Sequence, residues 1–268
     1  MRRLHRSKWF LISRPKPLAR YRLFCFPYAG GSAAAFLPWE ELLPPQIELV
    51  AIQAPGRANR LDERLLTSVA ALAEQLAGAI PPMLDRPYLT YGHSMGSIVS
   101  FELLHLLKAR GLPLPRRYFG AARQAPHIPR RIAPFYDYPL EEFITELKRF
   151  GGTPDAVLEN AELMEMLVPM LRTELRAAYA YHRDPVVKLE CDVSVYGGAR
   201  DEIVLPEELP GWQEHFLQRM DFRLFEGSHF FLEENKEQVV SAICESIGLS
   251  RSGMTLSPPT RRPTSLPP

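Results

Sequence analysis

Five residues, Gly92-His93-Ser94-Met95-Gly96, constrain this chain more than any others. They match G-x-S-x-G, the pattern of a sharp strand-to-helix turn that holds a serine in a strained conformation with its hydroxyl exposed. The two glycines let the strand and the helix approach closely. The flanks suit such a turn. Tyr88-Leu89-Thr90-Tyr91 reads as a short strand, and residues 97–107 read as a buried helix that Gly111 and Pro113 stop.

A serine hydroxyl is a poor nucleophile until a base takes its proton. Two later loops offer the partners. Val193-Ser194-Val195-Tyr196 is strand-like, runs into Gly197-Gly198 and is followed by Asp201. Asp221-Phe222-Arg223-Leu224-Phe225 is strand-like and is followed by Gly227-Ser228-His229. Both candidates therefore sit just past strand ends, where ligands bind in open α/β sheets. His229 is the expected base, and later the acid that protonates a leaving group. Asp201 is expected to fix the imidazole tautomer and to stabilise the imidazolium. An oxyanion in such a site needs backbone N–H donors. Met95, directly after the serine, is one candidate. The other lies on Pro27-Tyr28-Ala29-Gly30-Gly31, after the strand Arg22-Leu23-Phe24-Cys25-Phe26. Tyr28 and Ala29 are equal candidates there.

The chain has seven histidines. His93 lies inside the turn with its side chain directed away from the serine hydroxyl, so a packing role is expected. His105 falls in the following helix. His127 and His182 read as surface residues, and His215 lies near Trp212 in a helix-like stretch. Among acids, Glu202 adjoins Asp201 but points elsewhere, and Asp192 is at the wrong end of its strand. Asp184, just before Pro185, is the remaining alternative.

Length and composition fit this chemistry. The 268 residues suit one α/β domain with an insertion, and the net charge of +1 gives no support for nucleic-acid or membrane binding. Cys25, Cys191 and Cys244 are far apart, so buried thiols are expected and neither a disulfide framework nor a metal site. The apolar run Trp9-Phe10-Leu11-Ile12 is too short for a signal-peptide core or a membrane span, and a cytoplasmic protein is expected. Residues 1–19 read as a lead-in and residues 20–249 as the folded domain. Residues 250–268 carry Pro258-Pro259, Pro263 and Pro267-Pro268 and are expected to be disordered. There are no internal repeats.

Short apolar strands alternate with amphipathic helices, which predicts a mainly parallel central sheet flanked by helices. Ile47-Glu48-Leu49-Val50-Ala51-Ile52 and Tyr118-Phe119-Gly120-Ala121-Ala122 supply further strands. Val69, Leu72, Leu76 and Ile80 mark one helix, and Val239, Val240, Ile243 and Ile247 mark the last. Residues 127–184 break the alternation. Leu140, Phe143, Ile144, Leu147 and Phe150 have helical spacing, and Gly151-Gly152 stops that helix. Thr153 reads as an N-cap with Pro154 at the first helical position. Leu163, Met166, Leu167, Met170, Leu171 and Leu175 continue at similar spacing. Consecutive helices inserted between core strands predict a lid, with Met166 and Met170 as adaptable residues lining the substrate's path.

At this point the chain resembles the type II thioesterases, stand-alone editing enzymes of polyketide and nonribosomal peptide biosynthesis. The likeness rests on Phe26-Pro27-Tyr28-Ala29-Gly30-Gly31-Ser32, Ala54-Pro55-Gly56-Arg57 and the Gly92–Gly96 turn. Gln124-Ala125-Pro126-His127 and Phe150-Gly151-Gly152-Thr153-Pro154 add to it. So do Gly197-Gly198-Ala199-Arg200-Asp201 and Gly227-Ser228-His229-Phe230-Phe231-Leu232. Ser228 departs from the family, where a second glycine is common. The resemblance implies an α/β-hydrolase fold with a helical lid. It also implies a serine hydrolase that removes acyl groups from the phosphopantetheine arm of acyl or peptidyl carrier domains. No cofactor or metal of its own is expected, since the arm belongs to the substrate. Arg116-Arg117 and Arg130-Arg131 read as solvated faces, with contact to an acidic carrier domain as the alternative. Two rival readings share the motif. One is an esterase or acyltransferase acting on free small molecules. The other is a hydrolase-like docking module, against which the intact Ser94, Asp201 and His229 weigh.

Overall fold

The computed structural model describes residues 7–249. Residues 1–6 and 250–268, including the proline-rich segment expected to be disordered, lie outside the described residues. Among these described residues seven strands form one sheet: β1 (Phe10–Leu11), β2 (Tyr21–Phe26), β3 (Ile47–Ile52), β4 (Tyr88–His93), β5 (Arg117–Ala121), β6 (Asp192–Gly198) and β7 (Asp221–Phe225). Their spatial order is β1-β3-β2-β4-β5-β6-β7. Every neighbouring pair is parallel except the edge strand β1, which runs antiparallel to β3.

The expected strands all form. β1 was not expected, because residues 1–19 read as a mere lead-in. It is two residues long and takes its conformation from pairing with Ile52 and Ala51, so it has no periodicity of its own to read.

Among the described residues seven α-helices accompany the sheet: α1 (Val69–Ala79), α2 (Met95–Ala109), α3 (Leu140–Phe150), α4 (Asp155–Leu158), α5 (Ala161–Ala180), α6 (Phe231–Glu234) and α7 (Lys236–Ser246). Local chemistry sets their ends. Ser68 caps α1 by accepting from Ala71 N, and Asn160 caps α5 by accepting from Leu163 N. Gly151 ends α3 in the left-handed region at φ 75°, as its sequence predicts. The next helix starts one residue later than expected: Pro154 is the cap of α4, and Thr153 lies outside it.

The central strands are buried on both faces, as parallel strands between helical layers must be. Alternation divides their side chains. Phe24, Phe26, Val50 and Ile52 face the layer holding α1 and α2. Leu23, Cys25, Leu49 and Ala51 face the layer holding α7. Cys25, Cys191 and Cys244 are buried thiols. Helices α3 to α5 follow one another between β5 and β6 with no strand between them. They pack around a separate apolar cluster that includes Phe143, Leu147, Met164 and Leu171. This is the inserted helical lid.

Candidate active site

β4 enters α2 through a single residue, Ser94, held at φ 52°, ψ −112°. Non-glycine residues pay about 1–3 kcal/mol for such backbone, and the surroundings must enforce it. They do. Ser94 N donates to Ala121 O at 2.8 Å. Ser97 Oγ lies 2.7 Å from Gly92 O and 2.8 Å from Ala121 O, and accepts from Ala121 N at 3.0 Å. A Cβ on Gly92 would stand 2.3 Å from Gly96 O, and one on Gly96 would stand 2.1 Å from Phe26 O, so neither position tolerates a side chain.

The three residues expected to act together are brought together. His229 Nε2 is 3.0 Å from Ser94 Oγ, and His229 Nδ1 is 2.9 Å from Asp201 Oδ2. The other oxygen of Asp201 accepts from Ile203 N at 2.8 Å and Val204 N at 3.0 Å. The acid loop is also tied to the histidine loop, with Ala199 N donating to Phe225 O and Arg200 N to Gly227 O. Burial by itself would raise the Asp201 pKa. The nearby His229 charge, its hydrogen bond and the two backbone N–H groups outweigh burial and hold the carboxyl below its usual range. Asp201 is thus an anion placed to favour an imidazolium at His229. Asp184 is exposed at the end of the lid segment and is not part of this chain of contacts.

His93 does more than pack. It is fully buried, and its Nε2 lies 2.8 Å from the His229 carbonyl oxygen while the Tyr91 hydroxyl lies 3.3 Å from its Nδ1. A carbonyl only accepts, so Nε2 carries the proton and Nδ1 accepts from Tyr91. Desolvation is the largest influence on His93, and with the His229 charge it pushes the pKa down to about 3. The neutral ring therefore holds the His229 backbone in place across the working pH range.

His105 and His215 are also kept neutral by burial, with pKa values pushed down to about 3 and about 4. His127, expected at the surface, is half-buried, with Nδ1 2.7 Å from His215 Nε2. A histidine whose folded pKa lies below its unfolded value of about 6.5 binds its proton more readily when unfolded. Its contribution to stability is complete above about pH 6.5 and is lost as the pH falls toward the folded value. Three such groups give a loss of up to about 4 kcal/mol per pH unit below pH 6.5. Thermal unfolding should show a much lower Tm at pH 5 than at pH 7.5. An equal Tm at both would contradict the neutral burial of these rings.

A buried ion pair fastens the lid to the loop beside the serine. Arg57 Nε donates to Glu174 Oε1 at 2.9 Å, and a second Arg57 nitrogen meets Glu174 Oε2. Gly30 N donates to the same Oε2 at 2.9 Å, and Arg57 donates back to Gly30 O at 2.9 Å. Both side chains are buried. Glu174 was missed in the sequence. The available signal was a carboxylate on the apolar face of α5, in step with Met170, Leu171, Ala177 and Ala178. Removing one partner strands a buried charge, so Glu174→Ala should cost about 3–5 kcal/mol. The double change Arg57→Met, Glu174→Leu should cost less than either single change, as chemical denaturation of the three variants will show.

Ser94 and His229 open onto a cavity of about 50 Å³, enough for a few water molecules with the lid in this position. Tyr28, Ala29 and Met95, the candidate oxyanion donors, are among its lining residues. Met95 begins α2, where helical N–H groups lack intrahelical acceptors. The lid side is formed by Phe150, Leu175, Ala178 and Tyr179. This corrects the expectation for the methionines. Met166 is 58% exposed, Met170 is buried, and neither lines the cavity. Helical spacing identified an apolar face of α5, but only the C-terminal part of that face lies over Ser94. Arg130 is a second correction, since it lines the cavity where a solvated face was expected. Arg117 instead pairs with Asp192 and Asp221 at the sheet edge. Among the described residues no cluster of His, Cys, Asp or Glu could hold a metal ion. No helix among them is long and apolar enough to cross a membrane.

The thioesterase domain family matches residues 21–247. The chain belongs to the thioesterase family. It is 36% identical over 243 residues to the gramicidin S biosynthesis protein GrsT of Aneurinibacillus migulanus, covering 91% of this chain and 95% of that protein. It is 32% identical over 257 residues to thioesterase PikA5 of Streptomyces venezuelae, covering 94% and 91%. Among solved structures, the type II thioesterase BorB from the borrelidin biosynthetic cluster matches with a TM-score of 0.79 at 31% identity, covering 90% of this chain and 97% of that one. RedJ, a thioesterase of the prodiginine pathway in Streptomyces coelicolor, matches with a TM-score of 0.79 at 32% identity, covering 89% and 92%. The resemblance to type II thioesterases is therefore borne out, as is the α/β-hydrolase fold. This thioesterase is a hydrolase of the serine type.

Proposed function

We propose that this thioesterase hydrolyses acyl groups from the phosphopantetheine arm of carrier domains in a polyketide synthase or nonribosomal peptide synthetase, clearing misprimed or stalled units. The carrying observation is the hydrogen-bonded series Ser94–His229–Asp201 beneath a lid, in a chain related over nearly its whole length to thioesterases of such pathways.

In this reading Ser94 Oγ attacks the thioester carbonyl and passes its proton to His229 Nε2. The tetrahedral oxyanion is received by the N–H of Met95 and by that of Tyr28 or Ala29. Support for the latter pair comes from their neighbours: Gly30 N is engaged by Glu174, and Gly31 N by Tyr28 O. The C–S bond then breaks and the thiolate takes the proton from His229. Water, deprotonated by His229, attacks the acyl-enzyme and releases a free acid and Ser94. A thiol has a pKa of about 8.5 and departs with little protonation, so nucleophile activation and oxyanion binding carry most of the catalysis. The reaction needs no metal or cofactor held by the enzyme, and a cytoplasmic setting belongs to the same reading.

The test compares one acyl group on a holo carrier protein with the same group esterified to a simple alcohol. Faster hydrolysis from the carrier supports the proposal. Faster hydrolysis or transfer from the alcohol ester would instead assign an esterase or acyltransferase acting on free small molecules.

A further inference from the structure

The cavity above Ser94 is apolar on most sides, yet the lid segment places a cation in its wall. Arg130 lines it together with Ser94 and His229. The guanidinium lies 4.0 Å from the centroid of the Tyr179 ring, and Tyr179 on α5 lines the same cavity. Stacking of this kind holds an arginine in place without consuming its N–H donors. The Arg130 Nε and the Tyr179 hydroxyl are both shielded from solvent, and among the described residues no group outside this pair satisfies either. Glu208 is the carboxylate whose charge reaches Arg130, but the two form no ion pair.

Two other buried arginines are neutralised: Arg22 pairs with Glu48, and Arg57 with Glu174. Arg130 has no such carboxylate partner among the described residues. Arg123 lies directly behind the wall formed by Ala122 and Ala178, donating to Ala178 O at 2.8 Å. It is buried, and its Nε and one terminal nitrogen are also without partners. Unpaired buried donors are costly, and desolvation is the largest influence on Arg130, which stays charged because guanidinium hardly deprotonates. A carboxylate is the ligand that a guanidinium fork with an adjacent hydroxyl donor fits best.

Resting on the thioesterase reading above, we propose that Arg130 and Tyr179 receive the far end of the acyl group and select carboxyacyl units. These are short acyl groups with a second, terminal carboxylate, such as malonyl or succinyl. That carboxylate accepts from Arg130 and from the Tyr179 hydroxyl while Ser94 attacks the thioester carbonyl at the other end. Arg130 and Tyr179 are specificity residues, and the bond changes remain those of thioester hydrolysis.

The experiment pairs each carboxyacyl carrier substrate with a branched alkyl isostere: malonyl with isovaleryl, and succinyl with 4-methylvaleryl. Charge-assisted hydrogen bonds predict that the wild type favours the carboxyacyl member by about ten- to hundredfold in kcat/KM. Arg130→Met should abolish that ratio, and Arg130→Lys should keep part of it. A wild-type preference for the alkyl member, or an equal loss for both members in Arg130→Met, would overturn the proposal. A parallel arm measures protection of Ser94 from a fluorophosphonate by free succinate and by 4-methylvalerate. Succinate should protect the wild type better, and Arg130→Met should erase the difference; equal protection of the wild type would overturn the proposal. If no carrier thioester is cleaved, the thioesterase reading falls, and this arm still decides the role of Arg130.

Discussion

Ser94→Ala will lower turnover of any acyl substrate by about a millionfold while leaving the fold in place. The side chain contributes one hydroxyl, 3.0 Å from His229 Nε2, and the turn does not depend on it. The turn is held by Ser94 N on Ala121 O, by Ser97 and by the glycine contacts. Alanine tolerates the φ of 52° about as well as serine does. The variant should therefore melt near the wild-type temperature and form no acyl-enzyme. Substantial activity in pure Ser94→Ala protein would remove Ser94 from the mechanism.

Asp201→Asn should lower turnover by about ten-thousandfold. The local hydrogen bonds give the reason. Oδ1 accepts from Ile203 N and Val204 N, so the amide oxygen of an asparagine must stay on that side. Its NH2 group then faces His229 Nδ1, which has to accept rather than donate. The imidazole proton moves to Nε2, the atom that must take the proton from Ser94. The variant keeps its shape and loses its base. Asp184→Asn is the control, because that side chain is exposed and takes no part in the triad's hydrogen bonds. A crippled Asp184→Asn enzyme beside a healthy Asp201→Asn enzyme would mean the wrong carboxylate has been assigned.

Much of this site was legible in the sequence because each member stands directly after a strand. Ser94 follows β4, Asp201 follows β6 and His229 follows β7, and an alternating pattern locates strand ends well. The parts that were not legible depend on contacts between distant segments. The pairing of Arg57 with Glu174 spans 117 residues and joins a loop to a lid helix. His93 holds the backbone of a residue 136 positions away. Arg130 resembled any surface arginine until Tyr179 was brought beneath it. Met166 and Met170 show the converse error. Periodicity gives the apolar side of a helix, but not which turn of that side covers the nucleophile. Likewise β1 is a strand only because β3 lies beside it.

Catalysis by Ser94 passes through one covalent bond, that of the acyl-enzyme. Mixing the enzyme with an acyl-loaded carrier protein, quenching in acid and mapping the peptides by mass spectrometry locates any transferred acyl group. The prediction is an acyl adduct on the peptide containing Ser94, formed as the carrier loses its acyl group and absent in Ser94→Ala. Release of the free acid with no adduct on the wild-type enzyme, or an adduct that persists in Ser94→Ala, would contradict the account.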